Sequence, residues 1–169
     1  ENLTEGVRNV AIGNDAGKTA VTSERLVAIG WKALTATTGS GNTAVGYSSG
    51  YTITTGGSNV SVGDRSLYLN TSGGTNVSVG QMNMYNNTTG SDNTAIGRQA
   101  LYDNTTASNN VAVGVTALGD NTTGTSNVAV GMDSLRDNTT GGSNTAVGYL
   151  ALHANTTADN NSRWVEGSL

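Results

Sequence analysis

The phrase Asn-[Val/Thr]-[Ala/Ser]-[Val/Ile]-Gly recurs along this chain, and its spacing limits the fold more than any other feature. Its copies end at Gly13, Gly30, Gly46, Gly63, Gly80, Gly97, Gly114, Gly131 and Gly148, so successive glycines lie 17, 16 and then six times 17 residues apart. Leu26 replaces the Asn of the second copy. A fixed period of this length marks a repeat architecture in which each unit is one small module stacked on the next. Four residues after the Gly comes Leu or Met in seven units: Leu34, Leu67, Met84, Leu101, Leu118, Leu135 and Leu152. Three residues later, six successive units carry Asn70, Asn87, Asn104, Asn121, Asn138 and Asn155, mostly followed by Thr-Thr. The first unit lacks this Asn-Thr-Thr element and reads as an incoming coil.

Within one unit, Asn-Val-Ala-Val alternates: the two Val share one face and Asn and Ala the other, which is strand behaviour. The Gly that follows marks a bend or a close backbone approach. Asn-Thr-Thr-Gly is turn chemistry, with Asn bonding its own backbone and Gly taking positive φ. Seventeen residues therefore hold two short strands and two bends, leave no room for a helix, and contain no Pro. The expected fold class is all-β, a parallel β-roll or solenoid of 17-residue coils. Stacked at about 4.8 Å, nine coils would be roughly 43 Å long. The repeated Asn should form ladders whose amides bond one another and cap backbone groups. The Val/Ile and Leu columns are expected to make a narrow apolar seam inside each coil, with the small Ala/Ser column facing away from it. Residues 1–25 read as a divergent N-terminal coil, 26–159 as the regular array, and 160–169 as an exit segment or cap.

Composition bears on what such a coil can bury. Gly, Thr, Asn and Ser number 24, 26, 21 and 16, about half of 169 residues, against 31 Leu, Ile and Val and no Phe. Bulky apolar residues thus fall under the roughly 20% that an ordinary core requires. Yet a net charge of −4 with 12% charged residues lacks the strong charge typical of disordered chains. A seam this thin is marginal alone, and the small Ala/Ser column invites another backbone, so the coils are expected to pack against copies of themselves around a common axis. Zero Cys removes disulfide scaffolds, Cys-based zinc sites and thiol catalysis. No apolar stretch approaches the roughly 20 residues of a membrane-spanning helix, so no membrane insertion is expected. Eight basic residues, spread singly among twelve acidic ones, give no footprint for nucleic acid. The chain begins at Glu1 without Met or a signal segment and is expected to be a piece of something longer.

Val-Ala-Ile-Gly with Ala or Ser three residues on, as at Val27–Gly30 with Ala33, resembles the head repeats of trimeric autotransporter adhesins of the YadA type. The longer phrase Asn-Thr-Ala-Val-Gly-x-x-Ala-Leu-x-x-Asn-Thr-Thr, read in full at Asn144–Thr157, resembles repeats of bacteriophage tail fibres. The likeness covers roughly residues 9–158. It implies a left-handed parallel β-roll of three chains around one axis, displayed at a surface to reach or bind a host. A 17-residue period departs from the roughly 14-residue coil of adhesin heads and favours the virion fibre over the bacterial cell surface. A fibre of a contractile injection system is a third home for the same repeat.

Because the repeat supplies its own internal alignment, variable positions can be read directly. The two residues after each Gly change freely (Trp31-Lys32, Tyr47-Ser48, Asp64-Arg65, Tyr149-Leu150), as a solvated edge does, and this edge is one candidate ligand surface. Tyr51, Tyr68, Tyr85 and Tyr102 recur at 17-residue steps and should stack, either as simple packing or as a platform for sugar rings of a host-surface glycan. Asp103, Asp120 and Asp137 form another column. It lacks the Gly-Gly-x-Gly-x-Asp pattern of calcium-binding rolls, so solvated carboxylates and no metal are expected. His153 is the single His and has no nucleophile–acid constellation around it, so no enzyme and no cofactor are expected. Triplets such as Asn104-Thr-Thr106 match the glycosylation sequon, but the turn accounts for them. The pairs Thr88-Thr89, Thr105-Thr106, Thr122-Thr123, Thr139-Thr140 and Thr156-Thr157 suggest an ice-binding face, against which stands the single outward Thr that an extended pair offers. Trp164, in the tail that abandons the repeat, is a candidate plug for the end of a trimer core.

Overall fold

The computed structural model describes residues 7–165. Ten three-residue strands form a single parallel sheet in chain order: β1 (Val10–Ile12), β2 (Val27–Ile29), β3 (Thr43–Val45), β4 (Val60–Val62), β5 (Val77–Val79), β6 (Thr94–Ile96), β7 (Val111–Val113), β8 (Val128–Val130), β9 (Thr145–Val147) and β10 (Ser162–Trp164). The register repeats without a slip; Ala95 lies against Ser78 on one side and Ala112 on the other. The chain is a β-solenoid of about nine turns with coils of about 17 residues. Its 16-residue coil is absorbed outside the strands, since Val27 still pairs with Thr43 and Ile29 with Val45. The divergent N-terminal coil expected at 1–25 and the exit segment or cap expected at 160–169 lie partly outside the described residues; β1 and β10 both join the common sheet.

Each coil contains one strand, not two. The rest of the coil is a succession of turns, because left-handed backbone recurs there on ordinary residues: in the coil of Gly97, Gln99, Leu101 and Asn109 have φ of 57°, 51° and 63°. Such a conformation costs an L-residue roughly 1–2 kcal/mol. It is held in place because the turns also bond coil to coil: the Leu101 amide donates to Ala117 O at 3.0 Å, Asp103 to Gly119 O at 2.9 Å and Thr105 to Thr122 O at 3.1 Å. The hydrogen-bond ladder thus runs around the coil and not along one face only.

The interior reverses the expected placement of the strand faces. Alternation pairs the residues as read, but Ala and Ser point inward and Val and Ile outward. Ala44, Ser61, Ser78, Ala95, Ala112, Ala129 and Ala146 have no exposed surface, whereas the flanking strand positions are half-buried or exposed, Ile96 among them. The reason is width. The Leu column comes from the opposite wall and reaches the strand directly; a Cβ added to Gly50, which occupies the Leu position of its coil, would lie 3.7 Å from Ala44 Cβ. Only a methyl or hydroxymethyl fits between. Where Gly50 removes the Leu, Ile53 takes the place of the turn Asn and fills the space, its Cδ1 3.0 Å from that added Cβ. Small-to-large pairing across the interior is conserved in volume by this exchange.

Two columns of asparagine complete the interior. At the strand entrance, Asn59, Asn76, Asn93, Asn110, Asn127 and Asn144 are fully buried. Each side-chain oxygen accepts the backbone N–H of the next coil's Asn, as in Asn110 N to Asn93 Oδ1 at 3.0 Å, and each amide donates to a carbonyl fourteen residues on, as in Asn93 Nδ2 to Ala107 O at 2.9 Å. In the turns, Asn87, Asn104, Asn121, Asn138 and Asn155 donate to the Oδ1 of the Asn one coil back, starting from Asn70, at 2.7 to 3.2 Å. The turn Asn also bonds the carbonyl three residues on, as in Asn70 Nδ2 to Gly73 O at 2.8 Å. Gly73 itself does not adopt positive φ; it is small because a Cβ would meet Gly90 O at 2.3 Å and Asn70 Oδ1 at 2.5 Å. The glycines that end the strands combine both demands, Gly97 having φ 130° and an added Cβ 2.4 Å from Gly114 O.

Candidate functional site

Two surfaces stand out. The first is the outward face of the sheet. Through β1–β9 its two columns contain only Val, Ile and Thr, with Thr at 43, 94 and 145 and no charged residue. It is a β-branched strip, roughly 40 Å long on the usual strand spacing, and β10 adds Trp164 opposite Val147, extending one column by a further rung. Trp164 is 70% exposed. Contiguous apolar surface of this extent is the kind of patch on which proteins associate.

The second is the edge formed by the turns. Tyr51, Tyr68, Tyr85 and Tyr102 are half-buried and stacked, with ring centroids 5.2, 5.0 and 5.5 Å apart and planes within 14° of parallel. Burial within the row, and next the neighbouring rings of Tyr85 and Tyr51, raise the Tyr68 hydroxyl above its ordinary range, with Arg65 pulling the other way. A second aromatic pair, Trp31 and Tyr47, stacks at 4.6 Å in the column directly after the strand glycines. Lys32 lies 4.4 Å from the Trp31 ring centre and Arg65 5.5 Å from that of Tyr47, both within cation–π range. Free variation of these positions hid the cluster; the signal was that two aromatics and two cations fall within three successive units at the same two repeat positions.

The acidic column continues the edge. Asn86 donates to Asp103 at 2.8 Å, Asp137 lies 3.8 Å from His153 Nδ1, and Asp120 sits between Asp103 and Asp137 near Arg136. Desolvation raises the Asp120 pKa, Arg136 opposes it, and the two flanking carboxylates add to it. Among the described residues, no group of three or more His, Cys, Asp or Glu is placed to hold a metal ion, and no helix is long and apolar enough to cross a membrane. The first Thr of each pair is already engaged: Thr88, Thr105, Thr122 and Thr139 hydroxyls donate to the next coil's Thr carbonyl at 2.9 to 3.0 Å. One exposed Thr remains on that side at Thr89, Thr106, Thr123 and Thr140, and both Thr156 and Thr157 are exposed in the last pair.

No protein-family model, curated protein or solved structure matches this chain.

Proposed function

We propose that this chain is a structural segment of a surface fibre, a homotrimer in which three solenoids bring their Val/Ile faces together around one axis, and that it belongs to a bacteriophage tail fibre or similar virion appendage. In that role it holds a receptor-contacting part away from the particle or supplies some of the contact surface itself. The observation that supports this reading is the outward strip of Val, Ile and Thr, uninterrupted by charge through nine coils. A second copy of the same strip is its natural complement: both have the same axial repeat, and joining them removes β-branched side chains from water at about 25 cal/mol per Å². Three faces closing on a threefold axis leave no apolar strip uncovered, and Trp164, on the last rung of one column, would close the end of that shared core. The resemblance to left-handed trimeric rolls points the same way.

Light scattering tests the assembly. The expected mass is three times the 17.1 kDa chain. Val79→Lys with Val113→Lys, both on the outward face, should reduce it to one chain while the strand-type circular dichroism of the coil persists. A wild-type mass of one chain, or a trimer indifferent to both lysines, would overturn the reading.

A further inference from the structure

We propose that the notch between the two aromatic rows binds a carboxylated sugar. The inference rests on the attachment role proposed above and names the chemistry of the contact. The notch has a volume of about 130 Å³ and lies among Trp31, Lys32, Tyr47, Tyr51, Arg65 and Tyr68. That is well below the roughly 300–1,000 Å³ of pockets that enclose a small ligand, so it receives one sugar ring from the side, with the rest of a glycan continuing along the edge.

Its parts suit that ligand. The Trp31–Tyr47 stack forms one wall and the Tyr51–Tyr68 stack the other, with planes 15° and 10° from parallel. Within each stack the ring faces are turned to their neighbours, Tyr68 lying between Tyr51 and Tyr85, so the walls present ring edges, the positive end of the aromatic quadrupole, while the tyrosine hydroxyls remain available for hydrogen bonds. Between the walls, Ser48 is small and only 3% exposed, forming a floor between Lys32 and Arg65 in the same column. The Lys32 ammonium lies 4.4 Å from the Trp31 ring centre and 5.9 Å from that of Tyr51, so it bridges the two walls. It takes no part in the four ion pairs of the described residues. Arg65 has only a loose partner: its Nε is 3.9 Å from Asp64 Oδ1, beyond hydrogen-bond range, and that oxygen has no donor. Two cations with uncommitted donors, set among ring edges and tyrosine hydroxyls on a chain of net charge −4, select an anion carried on a hydroxylated ring. A carboxylate takes the charge-assisted hydrogen bonds, and the hydroxyls of the sugar ring bearing it pair with the tyrosine hydroxyls. Three copies in a trimer would present three such notches, so weak single contacts sum by avidity on a glycan-covered surface.

The test uses oligomers of galacturonic acid and of sialic acid, with maltooligosaccharide as the neutral control, followed by saturation-transfer NMR and titration on the full chain. One or both acidic oligomers should bind, the neutral one at least tenfold more weakly. Lys32→Gln with Arg65→Gln should weaken acid binding by roughly tenfold or more, the size of one lost charge-assisted hydrogen bond, without moving the melting temperature, and Trp31→Ala should remove it. Equal binding of acidic and neutral oligomers, binding unaffected by the charge variants, or no binding of either acid would overturn the site. A trimeric mass without acid binding overturns this inference alone; acid binding by a single chain overturns the trimeric fibre and leaves the site.

Discussion

Replacing Asn93 with Ala isolates what an interior amide does in this fold. The side chain makes three hydrogen bonds: it donates to Asn76 Oδ1 at 3.1 Å and to Ala107 O at 2.9 Å, and it accepts the Asn110 amide at 3.0 Å. Truncation does not strand all three partners. Asn76 Oδ1 keeps the Asn93 backbone N–H at 3.1 Å, and Ala107 O keeps Asn104 Nδ2, also at 3.1 Å. The Asn110 N–H loses its one acceptor among the described residues, in a position with no exposed surface. A buried amide left without a partner costs about 1–3 kcal/mol, and the emptied volume adds to it, for about 2–4 kcal/mol in total. Asn93→Asp should cost at least as much at neutral pH, since a carboxylate can accept from Asn110 but faces two carbonyl-type oxygens to which it cannot donate. Acid should partly rescue the Asp variant, because the protonated form regains one donor, and leave the Ala variant unchanged.

Guanidinium unfolding midpoints at one fixed protein concentration measure this, with Thr106→Ala as the exposed control in the same coil, expected within ±0.5 kcal/mol. Fixed concentration matters because association shifts apparent stability. Hydrogen exchange gives a local readout: the Asn110 amide should exchange faster in Asn93→Ala while Val128, two coils further along the ladder, does not. If Asn93→Ala costs no more than Thr106→Ala, the amide column is not a structural element and the account of the interior fails.

The two glycine columns should separate in the same way. Gly97→Ala puts a Cβ 2.4 Å from Gly114 O at φ 130°, whereas Gly124→Ala meets a similar contact at 2.2 Å but without positive φ, and its equivalent in the preceding coil is already Ala107. Gly97→Ala should therefore lower the unfolding midpoint clearly more than Gly124→Ala; equal losses would mean that backbone conformation contributes nothing at the strand ends. Asp120 offers a pH test. Its pKa is raised by desolvation and by its neighbouring carboxylates, so the folded state favours the protonated form: stability from this group is present below the ordinary carboxylate pKa and is lost as pH rises through the raised one. Asp120→Asn should then melt higher than wild type at pH 7 and no higher at pH 3; a difference independent of pH would exclude the electrostatic cause.

Much of this fold is legible in the sequence because each unit serves as an alignment for the others. The 17-residue step sets the coil, the Val-Ala-Val alternation sets the strand, and both Asn columns are readable as columns. The inside of the strand is not legible by hydrophobicity, which places Val and Ile in the core and so inverts the coil. Size variation carries the better signal. At the centre of β1–β9 only Ala and Ser occur, in Ala28, Ala44, Ser61, Ser78 and Ala95 alike, while the flanks drift among Val, Ile and Thr. A position that never grows is confined, and a position that trades Val for Thr touches water. The turn glycine misleads for a related reason: Gly after Asn-Thr-Thr looks like positive φ, but the constraint at Gly73 is the carbonyl of the coil above it. Positive φ falls instead on residues such as Leu101 and Gln99, where intrinsic preference gives no hint because the stacking of neighbours imposes it. The notch residues Trp31, Lys32, Tyr47 and Arg65 vary from coil to coil, and variation alone does not distinguish solvent from a site confined to three coils.

The same reversal explains why a chain so poor in bulky residues can be ordered and why it should not remain alone. Its interior is closed by amides, methyls and a single Leu, Met or Ile in most coils, so cohesion runs along the axis through hydrogen bonds and little branched apolar volume is used inside. The Val and Ile of nine strands are left on the outside, in register, with no charge between them. Uncovered, that face is an apolar patch prone to non-specific association. Covered by two identical faces it becomes the thick core that the single coil lacks, and the hydrogen-bonded coil then supplies axial stiffness while the shared core supplies bulk. The division predicts its own consequence: lysines at Val79 and Val113 should lower stability chiefly through loss of association, so the melting temperature of wild type should rise with protein concentration and that of the lysine variant should not.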